Sequence, residues 1–441
     1  MGSWRQALVC GLGASGTAAA RFLRAEGVDV CAIDERDAPE SRKAAETLSA
    51  WGCAVALGAQ DPPAGDFDVA IVSPGLPVEG AFLSGLRRRG IPLVSEMELG
   101  WSRFRGRTIA VTGSNGKSSA VKALAECLEM TGSRAVPCGN YGLPVCAAVL
   151  DAPAADWLVI EASSFQLETC AEFRPDVAVL MNVLPNHLDR HGTLEAYARL
   201  KARMFSRQRA GDVALTPPEW QERFRAWSGG GGRWETFGGA GDLDYVFSSH
   251  WIKERDGEGI CFEGSYFDNE VLGPNAAALY GAARAAGVPA AAIQLALGRF
   301  ESLPHRAEPV GEFGGVRYVN DSKATNLSAL IASVRMQDRP VWLIAGGRPK
   351  ETDFSAAIPI LKERVRGVFL IGEASAAMAA SWGAAVPCES CGTLPRAVAA
   401  ARRAARPGDA VLLAPACTSY DQFRAYGERG DAFRKIVLEK G

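Results

Sequence analysis

The chain has 441 residues, a formal net charge of −2, 48% hydrophobic and 22% charged side chains. That length is too great for one core and points to about two to four domains, of which three fits best. The near-neutral charge leaves no basic footprint for nucleic acid, and no apolar run approaches a membrane span. The amino terminus enters a strand directly rather than a signal peptide, so a cytoplasmic monomer is expected. The eleven cysteines are scattered. Cys10, Cys31 and Cys127 fall inside apolar strands or helices, where a reduced thiol packs as a small hydrophobe. Cys388 and Cys391 form a single Cys-x-x-Cys without the second pair that a zinc site needs.

Short apolar runs at Ala7–Cys10, Val28–Ile33, Ala54–Leu57, Val69–Val72 and Pro92–Val94 alternate with helical patterns. The alternation predicts a parallel sheet covered by helices, assigned to residues 1–95. Gly11-Leu12-Gly13-Ala14-Ser15-Gly16 follows the first run, and Asp34 ends the second, 21 positions after Gly13. This has the form of a dinucleotide fingerprint, although such turns also serve other nucleotides. Ser73-Pro74-Gly75 closes another strand at its carboxyl end, where open α/β sheets place ligands, and it reads equally as an ordinary turn.

A second block, residues 96–300, opens with the most informative stretch: Thr108 to Ser119, Thr-Ile-Ala-Val-Thr-Gly-Ser-Asn-Gly-Lys-Ser-Ser. It reads as a buried strand running into a glycine loop and then a helix, Ala120–Met130. Gly113 and Gly116 let backbone amides point inward around a phosphate, Lys117 supplies a charge and Ser118 a hydroxyl for magnesium. Ser114, Asn115 and Ser119 complete the loop. The glycine expected six positions before the lysine is Val111, so the loop is a shortened one, and ATP is the expected ligand. Strands are predicted at Trp157–Ile160 and Val177–Met181. Glu161 ends the first of them, where a carboxylate can hold magnesium. His187 follows the second; a lone histidine reads first as structural, with a ligand role left open. Residues 212–272 turn polar and glycine-rich, with a hairpin turn at Asp256-Gly257, and read as a small antiparallel appendage and loops. Helices follow at Ala276–Ala286 and Ala290–Gly298.

A third α/β block, residues 301–441, carries strands at Val316–Val319, Val341–Ile344, Val368–Ile371 and Ala410–Leu413. Two polar clusters follow strands there, Asn320 to Asn326 and Cys417 to Phe423. They predict a ligand crevice at the strands' carboxyl ends, with helix capping as the plainer reading.

In this order the pieces resemble the Mur ligase family over essentially the whole chain. The specific marks are Thr112 to Ser118, Ser163-Ser164-Phe165-Gln166-Leu167-Glu168, Leu303-Pro304-His305-Arg306, Asn320 to Asn326, and Pro415-Ala416-Cys417 through Arg429-Gly430. The resemblance implies three α/β domains: a Rossmann-like UDP-sugar unit, a central P-loop ATPase-like unit and a carboxyl-terminal Rossmann-like unit. It also implies ATP-dependent ligation of D-glutamate to UDP-N-acetylmuramoyl-L-alanine through an acyl phosphate, in peptidoglycan precursor synthesis, with L-glutamate or another amino acid as the nearest alternative.

On that resemblance, Ser15, Asp34, Arg36 and Ser73-Pro74-Gly75 would meet the UDP part and Asn140 the sugar side. Lys117, Glu161, His187 and Lys201 would be catalytic. Two magnesium ions are implied, one at Ser118 and Glu161, the other at His187 and a carbamylated Lys201. Arg306 and Asp321 would meet ATP, and Thr325, Lys350, Ser419 and Tyr426 the incoming glutamate. Family members usually show Gly-x-His-Asn-x-x-Asn before the alanine-rich helix. Here Gly273-Pro274-Asn275-Ala276-Ala277-Ala278 lacks the histidine and the second asparagine, which leaves Asn275 as the carried-over adenine contact. Two other classes remain open. A nicotinamide dehydrogenase would rest on the first glycine turn alone, and a nucleotide switch would leave the third block's polar clusters unexplained.

Overall fold

The computed structural model describes residues 4–439. The chain forms two compact units, residues 1–263 with 274–298, and residues 264–273 with 299–441. Among the described residues no helix is long and apolar enough to cross a membrane.

The first unit holds two sheets. Strands β1 (Gln6–Cys10), β2 (Asp29–Asp34), β3 (Ala54–Leu57), β4 (Val69–Val72) and β5 (Leu93–Ser95) pair in parallel in the order β3-β2-β1-β4-β5. The strand order reverses between β1 and β4, so the turns after these two strands open on one crevice. The second sheet contains β6 (Arg107–Thr112), β7 (Ala135–Gly139), β8 (Trp157–Glu161), β9 (Val177–Leu180), β10 (Val213–Thr216), β11 (Arg233–Gly238), β12 (Tyr245–Ser248), β13 (Trp251–Glu254) and β14 (Gly259–Cys261). Its order is β14-β13-β12-β11-β10-β9-β6-β8-β7. Strands β6, β8 and β9 are apolar along nearly their whole length and buried on both faces, as a central parallel sheet requires.

The polar region after residue 212 differs in one respect from its sequence reading. Strands β10 and β11 pair in parallel with the central sheet and prolong it, and only β12, β13 and β14 pair antiparallel, with Asp256-Gly257 in the β13–β14 turn. Val213–Thr216 is fully buried, yet four residues carry too short a pattern to separate a sheet extension from a hairpin arm.

The second unit is one six-stranded sheet: β15 (Glu308–Phe313), β16 (Val316–Asn320), β17 (Val341–Gly346), β18 (Val365–Ile371), β19 (Cys388–Gly392) and β20 (Ala410–Leu413), ordered β15-β16-β20-β17-β18-β19. Only β15 runs antiparallel. The strands β15 and β19 sit at the edges and are the least apolar, which is why sequence periodicity passes over them. Cys388 and Cys391 both lie on β19, and all eleven cysteines are free thiols.

Helix Glu96–Arg103 joins the two sheets of the first unit. Ser95 caps it, its Oγ accepting from Glu98 N at 3.0 Å. Leu99 and Cys146 belong to the core beneath the first sheet, whereas Met97 and Val145 belong to the core of the second. Glu96 is buried between them. Its Oε1 accepts from Cys146 N at 2.6 Å, while its Oε2 has no hydrogen-bond partner among the described residues. Burial pushes this carboxyl from its ordinary 4.5 up to about 7, against the opposing pull of the Cys146 hydrogen bonds. A carboxyl whose folded pKa is raised stabilises the fold fully below its unfolded pKa and loses that contribution as pH climbs through the folded one. Relative to Glu96→Gln, the wild-type chain should therefore lose about 2 kcal/mol of unfolding free energy between pH 5 and pH 8. Urea titrations of both proteins at the two pH values check this, and parallel pH curves would show that Glu96 is ionised throughout.

Candidate active site

Strand β6 delivers the glycine loop and β8 and β9 flank it, so three strand ends converge. Gly116 sits at φ +85°, the left-handed region, and a Cβ there would approach Asn275 Nδ2 at 3.2 Å. Glycine thus suits both the turn and the close approach. The helix after the loop, Lys117–Glu129, begins three residues earlier than its sequence reading because the loop itself enters the first turn. Its positive end lies at the loop, an arrangement that favours anions.

The loop is held from β9. Asn182 Oδ1 accepts from Ser114 N at 3.1 Å and Asn115 N at 2.9 Å, and Asn182 Nδ2 donates to Asn115 O. Ser114 Oγ donates to Leu184 O at 2.9 Å and accepts from Leu184 N at 2.8 Å. Lys117 Nζ donates to Gly113 O at 2.9 Å and Ser114 O at 3.0 Å. Glu161 is buried at the end of β8; its Oε2 accepts from Ser118 Oγ at 2.6 Å and its Oε1 from Asn140 Nδ2 at 2.7 Å. Asn140 is thereby tied to the carboxylate as well as standing at the crevice mouth. Ser163 forms a capping box with Gln166, so part of the Ser163–Glu168 motif is helix-start chemistry.

Lys201 lies on helix Leu194–Ala202 and is 1% exposed. Its Nζ donates to Gly113 O at 3.0 Å and sits over the Tyr197 ring at 4.1 Å. Burial, then the charge of Lys117, depress its pKa well below the ordinary 10.5, with Glu161 opposing. His187 is exposed, has φ +54°, and meets the Phe165 ring edge-on at 4.9 Å.

Among the described residues no three His, Cys, Asp or Glu side chains gather as metal ligands. A cation held by Ser118 and Glu161 would need further oxygens from phosphate and water, the coordination that magnesium accepts. The donor set fits that ion and no thiol- or imidazole-rich one.

In the first sheet, Asp34 is buried and faces the glycine turn. Its Oδ2 accepts from Leu12 N at 2.8 Å and its Oδ1 from Arg36 N at 2.9 Å, so the carboxylate shapes the turn itself. Ser73 Oγ donates to Gly11 O at 3.1 Å, tying the turn after β4 to the turn after β1. Gly16 lies so near Gly11 O that a side chain there would collide with it. Ser15, Arg36, Pro74 and Gly75 stand partly or fully exposed around this turn.

In the second unit, β16, β20 and β17 are neighbours, and the segments after them carry Thr325, Ser419 and Lys350. Arg429, 1% exposed, binds these segments together: its Nε donates to Ser322 Oγ, one terminal nitrogen to Ser322 O at 2.9 Å and Cys417 O at 3.1 Å, the other to Thr418 O at 3.3 Å. Burial lowers its pKa to about 10, which leaves it cationic at neutral pH. Ser419 is 2% exposed and its Oγ finds no hydrogen-bond partner among the described residues. Tyr426 carries the Lys323 ammonium over its ring at 3.9 Å. Lys350 is exposed, and the neighbouring Glu351 carboxylate accepts from Leu327 N. Asn326 caps its helix through Ala329 N, the plainer reading of that residue. Asp321 follows β16 with its carboxyl raised by burial to about 6, and Arg306 lies half-buried nearby in sequence to His305. Asn182 and Tyr197 leave no spacing signature because each acts on backbone or a ring face, and Arg429, in the last family mark, carries no site role in the sequence.

Three family patterns match the chain in order: the Mur ligase MurD-like N-terminal domain at residues 5–95, the Mur ligase middle domain at 111–271 and the Mur ligase glutamate ligase domain at 305–417. A UDP-N-acetylmuramoylalanine--D-glutamate ligase of Acidobacterium capsulatum is 38% identical over 448 aligned residues, covering 98% of this chain and 96% of the relative. One of the same name from Nitratidesulfovibrio vulgaris is 39% identical, covering 98% and 95%. Among solved structures, MurF ligase from Thermotoga maritima in complex with ADP matches with a TM-score of 0.66 at 17% identity, covering 94% of this chain and 96% of that one, a likeness of fold.

Arg429→Met would keep the volume and leave the carbonyls of Ser322 and Cys417 without their donors. At about 1–3 kcal/mol for each of these two buried acceptors, the unit should lose about 2–6 kcal/mol of unfolding free energy. Urea denaturation followed by fluorescence measures it; a loss under about 1 kcal/mol would mean that water replaces the guanidinium.

Proposed function

Because the chain belongs to the Mur ligase family along its whole length, we propose that it joins D-glutamate to UDP-N-acetylmuramoyl-L-alanine, converting ATP to ADP and phosphate. The reaction serves peptidoglycan precursor synthesis and belongs in the cytoplasm, where ATP and the nucleotide sugar are available to a monomer. The observation that carries this reading is the loop Gly113–Ser119 with Ser118 Oγ on the buried Glu161, in a chain matched end to end by ligases of that name.

In this reading the alanyl carboxylate takes the γ-phosphoryl group of ATP, and the glutamate amine then displaces phosphate from the acyl phosphate. Phosphoryl transfer asks the protein mainly for positioning and charge neutralisation. Lys117 leaves its loop carbonyls for the phosphates, and the helix behind it adds its positive end. Magnesium at Ser118 and Glu161 would neutralise phosphate charge. Asn140 keeps the Glu161 carboxylate turned toward Ser118. Ser15, Asp34, Arg36, Ser73, Pro74 and Gly75 serve the UDP moiety, with Asp34 fixing the shape of the turn that receives it. Asn275, beside Gly116, serves the adenine side.

Lys201 serves as a carbamate. The depression of its pKa raises the share of neutral amine, whose lone pair forms an N–C bond to carbon dioxide, with the amine proton passing to solvent. The product is an anion with two oxygens, which together with His187 offers magnesium a second site. Carbon-13 NMR in labelled bicarbonate should show a carbamate signal that Lys201→Ala lacks; identical spectra would remove this part.

The buried hydroxyl of Ser419, unpartnered among the described residues, supports a polar ligand in the second unit, where Thr325, Lys350 and Tyr426 complete a pocket for glutamate. Lys350 supplies the cation that a dicarboxylate needs. Lys350→Ala should raise the KM for glutamate by at least about tenfold while that for ATP stays within about threefold, since one charge-assisted contact is worth about 1.5–3 kcal/mol. Equal rises would point to a general defect.

A phosphate-release assay with UDP-N-acetylmuramoyl-L-alanine and a panel of D-glutamate, L-glutamate and other amino acids tests the reaction as a whole. Release should require both substrates and D-glutamate; release with L-glutamate or another amino acid instead would reassign the acceptor, and release without any would favour a nucleotide switch. Lys117→Ala should keep less than about a tenth of turnover, by analogy with loss of one preorganised donor, and still bind the UDP sugar in calorimetry.

A further inference from the structure

Phe165, His187, His191, Tyr197 and Lys201 form a continuous stack that ends on the phosphate loop. The His191 ring lies between the faces of Phe165 and Tyr197, at 5.2 Å and 5.3 Å, with interplanar angles of 29° and 28°. Phe165 meets the His187 ring at 4.9 Å on one side, and the Lys201 ammonium covers the Tyr197 face at 4.1 Å on the other. The Tyr197 hydroxyl accepts from Ser114 Oγ at 3.4 Å, and Lys201 reaches Gly113 O. The His191 side chain is 2% exposed; its Nε2 shares a hydrogen bond with Ser164 Oγ at 3.0 Å, and its Nδ1 lies 3.7 Å from Glu168 Oε1. Arg190 closes the frame, donating to Glu168 Oε2 at 2.7 Å and to Leu76 O at 2.9 Å, with its guanidinium over Phe165.

We propose that His191 is a positioning residue whose ring keeps the His187 loop and the Lys201 helix in one register against the phosphate loop. His187 is itself exposed and starts a helix of only four residues, of which His191 is the last and the one whose side chain is buried in the stack. Without a ring between Phe165 and Tyr197, the His187 and Lys201 side chains lose their common reference. Misplacement of a reacting group by about 1 Å costs up to about a hundredfold in rate. Burial depresses the pKa of His191, with Arg190 and Lys201 adding to the effect and Glu168 and Asp189 opposing it, which favours the uncharged ring in the stack. The inference rests on the reading of His187 and Lys201 as the second magnesium site.

The experiment compares four proteins at saturating ATP, UDP sugar and glutamate while magnesium is varied. His191→Ala should lower kcat at least about tenfold and raise the magnesium concentration for half-maximal rate several-fold, with both substrate KM values within about twofold. His191→Phe, which refills the slot with a ring, should bring both quantities back to within about threefold of wild type. Phe165→Leu opens the same stack from its other face and should repeat the alanine signature, which keeps the test decisive if His191→Ala does not fold. Wild-type magnesium dependence in His191→Ala or Phe165→Leu overturns the proposal, as does a phenylalanine variant no better than the alanine one. His187→Ala separates the two layers: unchanged magnesium dependence there removes the metal reading itself, whereas a defect there with normal His191 and Phe165 variants removes only the positioning role.

Discussion

Two ammonium groups converge on one peptide carbonyl: Lys117 Nζ and Lys201 Nζ stand 2.9 Å and 3.0 Å from Gly113 O. One carbonyl dipole does not stabilise two like charges in a buried place, and the Coulomb cost there far exceeds that in water. Glu161 is the carboxylate whose charge opposes the effect of Lys117 on Lys201. The arrangement is therefore built for an anion, and the rest of the first unit reads as the means of holding the loop still until the anion arrives. Asn182, Ser114 and Leu184 fix its backbone from β9, and Asn140 and Ser118 fix the carboxylate from β7 and β6. The Lys201 pKa is depressed first by burial and then by this crowding with Lys117.

The second unit meets a similar demand with a different device. Its three ligand-facing segments leave their strands as irregular backbone, and irregular backbone near a core exposes carbonyls that need donors. Arg429 answers with a planar fork of donors that reaches Ser322, Cys417 and Thr418 together. A lysine has one donor centre and would satisfy fewer of them. The cation serves structure, so a fully buried arginine coexists with a buried Ser419 hydroxyl that has no partner among the described residues.

Much of this was legible in the sequence because the site lies where strands end. Apolar runs such as Ile109–Val111 and Val177–Leu180 mark strands, and the residues just past the carboxyl end of a parallel strand face the crevice. Gly113, Lys117, Ser118, Glu161 and the Asn320 to Asn326 cluster could be read in this way. Residues whose work is to hold backbone could not. Asn182 resembles any loop asparagine, and Arg429 sits in a helix, where an arginine is expected at the surface. His191 lies four positions from His187 and reads as one more polar residue; only the stack of rings distinguishes it. Strands β10 and β11 fall in a region that reads as polar and glycine-rich, and their parallel direction was not legible, since direction is a property of the partner strand and not of the segment.

Asp34 shows how a motif residue can have a structural role. An acidic residue ending β2 suggests a direct ribose contact, yet both of its oxygens accept backbone amides, of Leu12 and Arg36. The carboxylate spends its acceptor capacity on the turn, and the Arg36 guanidinium stays 3.7 Å away on a largely exposed side chain. The turn is held further by Gly16 pressed against Gly11 O and by Ser73 tied to the same carbonyl. The phosphate loop is held in the same way, by Asn182, and the second unit's segments by Arg429. In each of the three places one polar side chain, Asp34, Asn182 or Arg429, pins irregular backbone by hydrogen bonds to several main-chain groups at once.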